Sequence, residues 1–282
     1  MHTGLGLPIS DPAALLDWAE RADSSPFRTL GLLDRLAYDN PEPLVALAMI
    51  AGATKRVTVQ TEVLLAPLRD PVLLAKQVAT LDRMSGGRLV LGLGIGGRVD
   101  DHVAAGIDLH TRGRRLDDQL ALMYRLWAGE PYSAECGPIG PPPLRPEGPE
   151  ILFGGFQPIA LDRVGRWGGG FLSAAPPSWA SALFDTVRRS WTDHGRPGAP
   201  RIVAQVNVAL GPPDVITDAR AAMRAYYGFS DYTEGILAGL LTTPAEIRTT
   251  VAEFEDLGAD EVMFYCYGRE SDQVDRLADV IA

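Results

Sequence analysis

Two acidic residues stand at the ends of short apolar runs, where a side chain that moves protons would be useful. Asp34 follows the run Thr29–Leu33, and Glu62 lies near the end of Arg56–Leu65. A carboxylate there can orient a ligand or transfer a proton. For Asp34, capping the next segment or pairing with an arginine is an equal alternative, whereas Glu62 is interpreted as a wall of a site. The motifs HExxH, CxxC and GxSxG are absent, so hydrolysis by zinc or serine has no support and no metal site is predicted.

Glycines form a second feature with a chemical interpretation. Gly92, Gly94 and Gly96 occupy every second position of an apolar run, and Gly4 and Gly6 repeat the pattern near the start of the chain. Successive side chains of a strand face opposite sides, so one face is apolar and the other carries no side chain. The bare face predicts room for a flat ligand lying close to the backbone. The alternative is that the glycines admit bulky side chains from neighbouring strands.

Two segments could bind an anion. Gly154 and Gly155 separate an apolar run from a helix that Pro158 begins, and helix N-termini attract negative charge. A glycine pair can also serve only as a turn. A cluster of basic residues around Arg112 precedes another helix, where cations oppose the helix dipole. Either a bound phosphate or the nearby acidic residues Asp117 and Asp118 would explain it, and the structural pairing is favoured.

These residues need elements to position them, and the chain supplies a regular alternation. Eight apolar runs, each followed by a helical segment, predict a (β/α)8 barrel in one domain, residues 1–282, with its site at the carboxyl ends of the strands. The expected strands are Thr3–Pro8, Thr29–Leu33, Arg56–Leu65, Leu89–Ile95, Ile151–Phe153, Gly170–Ala174, Ile202–Ala209 and Glu261–Tyr267. Two excursions, Gly137–Pro149 and Phe229–Leu241, interrupt the alternation, and both are expected to be mobile walls of the site, as is Arg98–Arg112.

Composition narrows the class of protein. The 282 residues are 46% hydrophobic, which suffices for a large core, and the formal net charge is -10. An acidic chain lacks the basic footprint of a nucleic-acid binder. The two cysteines follow no metal or redox spacing, and neither a signal peptide nor a membrane span is visible. We expect a cytoplasmic protein without a nucleic-acid or membrane partner.

The segment Leu65–Pro71, continued by Leu74–Gln77 and Leu81–Leu89, resembles the bacterial luciferase-like monooxygenase superfamily. Asp34–Leu36 and Gly92–Gly97 are similar to further motifs of that family. The likeness implies a (β/α)8 barrel that binds a flavin or a deazaflavin at the carboxyl ends of its strands. It also implies a non-proline cis peptide near Glu62–Val63, behind the ring of the cofactor.

The resemblance places the cofactor phosphate on Gly154, Gly155 and nearby amides, and the ring over the bare glycine faces. The implied cofactor-binding residues are Gly6, Asp34, Thr61, Glu62, Val63, Gly94, Gly96, Gly97, Arg112, Gly154, Gly155, Phe156, Gln157 and Ala175. Many members carry an aromatic residue and then a glutamate after the strand-four glycines, where this chain has Arg98 and Asp100–His102. The catalytic residues are therefore left unassigned, with Asp34, Glu62 and Asp101 as candidates.

Three functions follow from the resemblance. The first is a monooxygenase that uses reduced FMN and O2 on a small organic substrate, with a separate flavin reductase as partner. The second is an oxidoreductase that transfers hydride with the deazaflavin coenzyme F-420. The third is a protein that binds flavin without turnover. The family likeness also implies a homodimer.

Overall fold

A closed barrel of parallel strands forms the centre of the protein, seen in a computed structural model that describes residues 1–7 and 11–281. The strands are β1 His2–Gly6, β2 Thr29–Leu32, β3 Thr58–Thr61, β4 Leu64–Leu65, β5 Leu89–Gly94, β6 Glu150–Gly154, β7 Gly170–Ser173, β8 Arg201–Val208 and β9 Glu261–Cys266. The end of the first expected strand, Pro8, lies outside the described residues. The helices are α1 Leu15–Asp23, α2 Pro43–Ala53, α3 Pro71–Met84, α4 Val99–Ala105, α5 Arg112–Trp127, α6 Pro158–Trp167, α7 Pro177–Asp193, α8 Pro213–Tyr227, α9 Thr233–Ala238, α10 Pro244–Asp256 and α11 Asp272–Ile281.

The nine strands make eight positions of the barrel, because β3 and β4 share one position. Both pair with β5, β3 through Val59 and Gln60 and β4 through Leu64 and Leu65. The strands follow the order β3-β2-β1-β9-β8-β7-β6-β5-β4, and the pairing of β3 with β5 closes the ring. The predicted (β/α)8 architecture is therefore confirmed.

The interruption between β3 and β4 falls at a non-proline cis peptide that joins Glu62 to Val63. The family resemblance implied a cis bond at this place.

Local signals explain why the helices begin where they do. Asp70 caps α3 by accepting hydrogen bonds from the backbone N–H groups of Val72 and Leu73, and Pro71 supplies the first turn. Thr243 and Glu246 form a capping box at the start of α10. The apolar faces of the helices pack on the outward side chains of the strands, such as Leu91.

Inside the barrel lies a separate, smaller apolar cluster. It contains Val90, Leu152, Leu172, Val203 and Met263, with Val63 packed against it. Branched residues filling the interior in this way are usual for such barrels. The barrel is thus a packed body, and any ligand site belongs to its ends.

Two excursions differ from the sequence prediction. Gly137–Pro149 joins the end of α5 to the start of β6 and lies against α3, where Leu144 N donates to Asp82 Oδ2 at 2.8 Å. It therefore runs at the amino ends of the strands, opposite the expected site, and the prediction that it walls the site is wrong. Phe229–Leu241, expected to be irregular, contains helix α9.

The second excursion is part of a helical insertion that begins and ends on the same strand. Ala209 N donates to Leu241 O and Leu241 N donates to Asn207 O, both at 3.0 Å. The chain from 211 to 240, with α8 and α9, thus leaves β8 at its carboxyl end and returns there. Within the described residues, no helix combines the length and apolarity needed to cross a bilayer.

Candidate cofactor site at the carboxyl ends of the strands

Glu62 lies under the carboxyl-end mouth of the barrel, at the break between β3 and β4. Its side chain is buried, and Gln60 Nε2 donates to Glu62 Oε1 at 2.6 Å. The missing side chain of Gly31 makes room for it: a Cβ there would lie 2.6 Å from the carboxyl carbon of Glu62. The Tyr265 hydroxyl lies beside this carboxyl, and apart from that contact Oε2 and the hydroxyl have no hydrogen-bond partner.

Burial raises the pKa of Glu62 to about 7, and the neighbouring Tyr265 hydroxyl and Gln60 amide offset only part of this rise. At the far end of the barrel interior, Glu261 raises and Arg201 lowers the same pKa. A buried carboxyl that titrates near neutral pH is suited to exchanging a proton. Glu62 is therefore the candidate whose environment fits acid–base chemistry.

The inward direction of the glycine faces is as predicted, but the faces are not empty. A Cβ on Gly6 would meet the ring of Tyr265 at 2.7 Å, and one on Gly92 would meet the backbone oxygen of Thr61 at 2.0 Å. A Cβ on Gly94 would meet Val63 Cγ2 at 2.4 Å. Neighbouring side chains and backbone therefore occupy this space, as in the alternative interpretation of the glycines. The prediction of an open space over Gly6, Gly92 and Gly94 is wrong.

Open space begins at Gly97, beyond the carboxyl end of β5. A Cβ on Gly97 would have no atom within 4 Å, and Gly96 turns the chain there with φ 69°. Val63, partly exposed, covers both Gly94 and Gly154, since its Cγ1 would lie 3.0 Å from a Cβ on Gly154. A flat ligand would thus rest on Val63 and the turn at Gly96 and Gly97 rather than on the bare strands.

The other two candidate carboxylates hold loops in place. Asp34 Oδ2 accepts hydrogen bonds from Leu65 N at 2.8 Å and from Arg69 Nη1 at 2.6 Å. Asp101 forms a buried pair with Arg35 Nε at 2.7 Å, and its Oδ1 accepts from the backbone N–H groups of residues 36 and 37. Because these contacts engage the oxygens of both carboxylates, their observed role is to position the segments that follow β2 and β4.

The glycine pair leads into α6 with no side chain covering the end of the helix. Gln157 is the N-cap residue without a side-chain capping bond, and Phe156 is 54% exposed beside it. Gly154 and Gly155 are partly exposed. These residues leave the N-terminus of α6 open to an anion from the mouth.

The remaining predicted residues have mixed surroundings. Thr61 Oγ1 donates to Gly92 O at 2.7 Å, and Ala175 is buried just before α7. Arg112 donates to Leu109 O, and its Nε is buried without a partner. The partner of Asp117 is Arg163, at 2.8 Å, so the expected pairing of this aspartate with the basic cluster is wrong.

A roof over the mouth was predicted only in part, because Phe229–Leu241 was expected to wall the site but the tyrosines at the end of α8 were not. Tyr226 and Tyr227, at the end of α8, pack against tyrosines of the barrel end such as Tyr267. We call α8, α9 and the chain between them the roof. Arg98 contacts this roof twice: its Nη1 donates to Tyr226 O at 2.8 Å, and its guanidinium lies 3.9 Å from the ring centre of Phe229. The adjacent aromatic residues in a segment that follows a strand were the available signal.

Several buried polar atoms beneath the roof have few partners. The hydroxyls of Tyr265 and Tyr267, Asn207 Oδ1 and Glu62 Oε2 make no hydrogen bond of good geometry, and their polar neighbours are one another and the Tyr227 hydroxyl. Burying polar atoms in this state is costly, so such groups normally pair with a ligand or water. A ring system edged with nitrogen and oxygen atoms, as in a flavin or a deazaflavin, fits this donor and acceptor set.

Comparison with known proteins agrees with this geometry. The family model "Luciferase-like monooxygenase" matches residues 2–253. This chain belongs to the luciferase-like monooxygenase family. It is an oxidoreductase of that family by fold and sequence, and the resemblance stated from its motifs is confirmed.

Curated relatives span several activities. An uncharacterized protein of Mycobacterium tuberculosis is 29% identical over 237 residues, which covers 72% of this chain and 83% of that protein. The 4-hydroxyprotoasukamycin monooxygenase of Streptomyces nodosus is 27% identical, covering 74% of this chain and 60% of that protein. The F420-dependent glucose-6-phosphate dehydrogenase of Nakamurella multipartita is 29% identical, covering 66% and 60%.

Solved structures support the same fold. An F420-dependent secondary alcohol dehydrogenase in complex with an F420-acetone adduct superposes with a TM-score of 0.85 at 16% identity, covering 99% of this chain and 97% of that one. The monooxygenase RslO1 from Streptomyces bottropensis has a TM-score of 0.78 at 21% identity, covering 100% and 98%. At these identities the likeness establishes the barrel architecture.

Proposed function

We propose that this protein is a monooxygenase that uses reduced FMN and O2 to oxygenate a small organic substrate. The observation that carries the proposal is the mouth of the barrel, where buried polar atoms with few partners lie beneath an aromatic roof. Relatives and structural neighbours that are named monooxygenases support the same class of reaction.

The residues that would hold FMN surround this mouth. Val63 and the turn at Gly96 and Gly97 would support the ring, and the tyrosine hydroxyls and Asn207 would bond to its polar edge. The amides at Gly154 and Gly155, with the open N-terminus of α6, would take the phosphate. Bound there, reduced FMN supplies the electrons that activate O2, which is chemistry that no side chain of the protein provides.

The protein's own residues would exclude water and control one proton. The roof of α8 and α9 covers the reacting region with aromatic rings, and Arg98 keeps that roof closed. Glu62, whose pKa is about 7, would hold or release a proton at Oε2 beside the Tyr265 hydroxyl. Exclusion of water strengthens electrostatic interactions within such a site.

A second candidate function is hydride transfer with F-420, and the pair of Glu62 and Tyr265 favours it. Reduction of a carbonyl, or its reverse, moves a proton together with the hydride, so a carboxyl that titrates near neutral pH is useful. The F420-dependent relative and structural neighbour support this candidate.

A cofactor titration separates the candidates. The purified protein is titrated with FMN and with F-420 while fluorescence quenching is followed, and oxygen uptake is measured with chemically reduced FMN and small organic substrates. Tighter binding of FMN with substrate-dependent oxygen uptake is expected. Tighter binding of F-420 would replace the first candidate by the second. Flavin binding without any turnover would identify a non-catalytic flavin-binding protein, and failure to bind either cofactor would refute the whole proposal.

The proposal also covers the oligomeric state of the protein, its location in the cell and its source of reduced FMN. We expect a cytoplasmic homodimer that receives reduced FMN from a separate flavin reductase. Size-exclusion chromatography with light scattering tests the dimer, and a monomer at micromolar concentration would contradict it. Oxygen uptake driven by NADH, FMN and an added reductase tests the supply of reduced FMN.

A further inference from the structure

A cavity lies at the amino ends of the strands, opposite the proposed cofactor site. Its volume is about 670 Å³, and its walls include the first residues of several strands, among them Thr58, Leu89, Glu150 and Arg201. The excursion Gly137–Pro149 forms part of the rim through Arg145 to Pro149. Pockets of this volume are large enough for a metabolite rather than for a single inorganic ion.

The charge of the cavity is opposite to that of the protein. Five arginines and two glutamates line it, whereas the whole chain has a formal net charge of -10. The arginines are Arg28, Arg145, Arg166, Arg196 and Arg201. The electrostatic potential in this cavity is therefore expected to be positive, although the protein as a whole is acidic.

Arg201 alone among these five has its charge balanced by carboxylates. It pairs with Glu150 at 2.6 Å and also with Glu261. For the part of the chain that the structure describes, no carboxylate lies within ion-pair distance of the guanidinium groups of the other four. Arg196 is held instead by two backbone carbonyls, Gly165 O at 3.0 Å and Gly168 O at 2.8 Å.

Trp167 forms a fixed wall beside these arginines. Its ring stacks on Tyr124, whose hydroxyl donates to Trp167 O at 2.6 Å, and Arg166 lies 4.9 Å from its centre. Guanidinium groups only donate hydrogen bonds, so an acceptor-rich ligand would satisfy the arginines that lack a carboxylate partner.

We propose that this cavity is a second ligand site, which binds a small phosphorylated metabolite with more than one negative charge. Guanidinium groups match phosphate oxygens in planar, bidentate geometry, and several of them around one cavity favour a multivalent anion. The site is distinct from the cofactor mouth, because strands of four to eight residues separate the two ends of the barrel.

Calorimetric titration with pyrophosphate at constant ionic strength tests the proposal. The wild-type protein is compared with the double variant Arg28→Gln/Arg145→Gln, whose two side chains are exposed and make no hydrogen bonds that the fold needs. The control is Arg189→Gln, an exposed arginine on α7 outside the cavity. We expect at least a tenfold loss of pyrophosphate affinity in the double variant, from about two charge-assisted contacts, and no change in the control.

Competition with FMN distinguishes binding in the cavity from binding at the mouth. Because the phosphate of FMN could itself enter the cavity, the competition is run in parallel with riboflavin, which has the same ring system and no phosphate. Riboflavin should not displace pyrophosphate, since the two sites lie at opposite ends, and its displacement by riboflavin would place the bound anion at the mouth and overturn the proposal. Absence of pyrophosphate binding, equal binding by the double variant, or binding of citrate as tight as that of pyrophosphate would each overturn it as well. Arg166→Gln provides an independent variant should the double variant fold poorly, as judged from its urea midpoint.

Discussion

Replacing Glu62 by glutamine should make the protein more stable at alkaline pH, although it removes a hydrogen-bonding charge from the interior. The carboxyl is buried, and its pKa is raised from 4.5 to about 7. A group whose pKa is raised by folding favours the folded state fully below its unfolded pKa, and this contribution is lost as the pH rises through the folded pKa. Glutamine mimics the protonated form at every pH, so the variant escapes that loss.

The size of the effect follows from the displacement of the pKa. A change from 4.5 to about 7 corresponds to about 3 kcal/mol between the two protonation states. The difference in unfolding free energy between Glu62→Gln and the wild type should therefore be near zero at about pH 4 and should rise by about 3 kcal/mol by about pH 8. Most of the rise should fall between these limits, and all other titrating groups cancel in the difference.

Urea unfolding of both proteins across this pH range measures the difference directly. Glu253→Gln, which removes an exposed carboxylate on α10, is the matched control and should give a difference that changes little with pH. A difference for Glu62→Gln that is the same at both ends of the range would refute the reasoning. So would a variant that loses stability relative to the wild type as the pH rises.

Three further substitutions, two of them with a matched control, test the packing around the mouth. Gly92→Ala should cost about 1–3 kcal/mol in urea unfolding, because its Cβ would lie 2.0 Å from the backbone of the neighbouring strand, whereas Gly97→Ala should be tolerated; equal effects would contradict the packed interior. Asp101→Ala should cost about 3–5 kcal/mol, because it removes the buried partner of Arg35 and leaves only the half-exposed Asp100, whereas Asp100→Ala, which keeps the buried pair, should cost under about 1 kcal/mol. Arg98→Ala should speed amide hydrogen exchange in α8 and α9 with little change elsewhere, and unchanged exchange there would show that the roof is held by other contacts.

The barrel could be predicted from the sequence because its signals are local. The alternation of apolar runs with helices and the cap-plus-proline starts such as Asp70 and Pro71 depend on residues close together in the chain. The motif around Ser85 to Leu89 then narrowed the fold to one family. The partners of Asp34 and Asp101 could not be predicted, because each lies more than thirty residues away on another element.

The interior was predicted only in part for a similar reason. Period two gives the direction of Gly92 and Gly94, but it does not say what lies opposite them. Val63 comes from the break between β3 and β4 and Leu172 from β7, and only the closure of the sheet brings them there. The prediction for Gly137–Pro149 failed for a different reason: a connection from a helix to the next strand runs at the amino ends of the strands, so the predicted order of elements already excluded it from the expected site.

The backbone hydrogen bonds between Leu241 and the end of β8 separate the segment above the mouth from the sheet. The chain leaves β8 after Ala209 and returns to it at Leu241, so the residues between these positions form an insertion at the end of one strand. Lengthening it, shortening it or exchanging it for another segment would leave the ladder of the sheet intact. The segment above the mouth can therefore differ in length or sequence without a change in the hydrogen bonds between the strands beneath it.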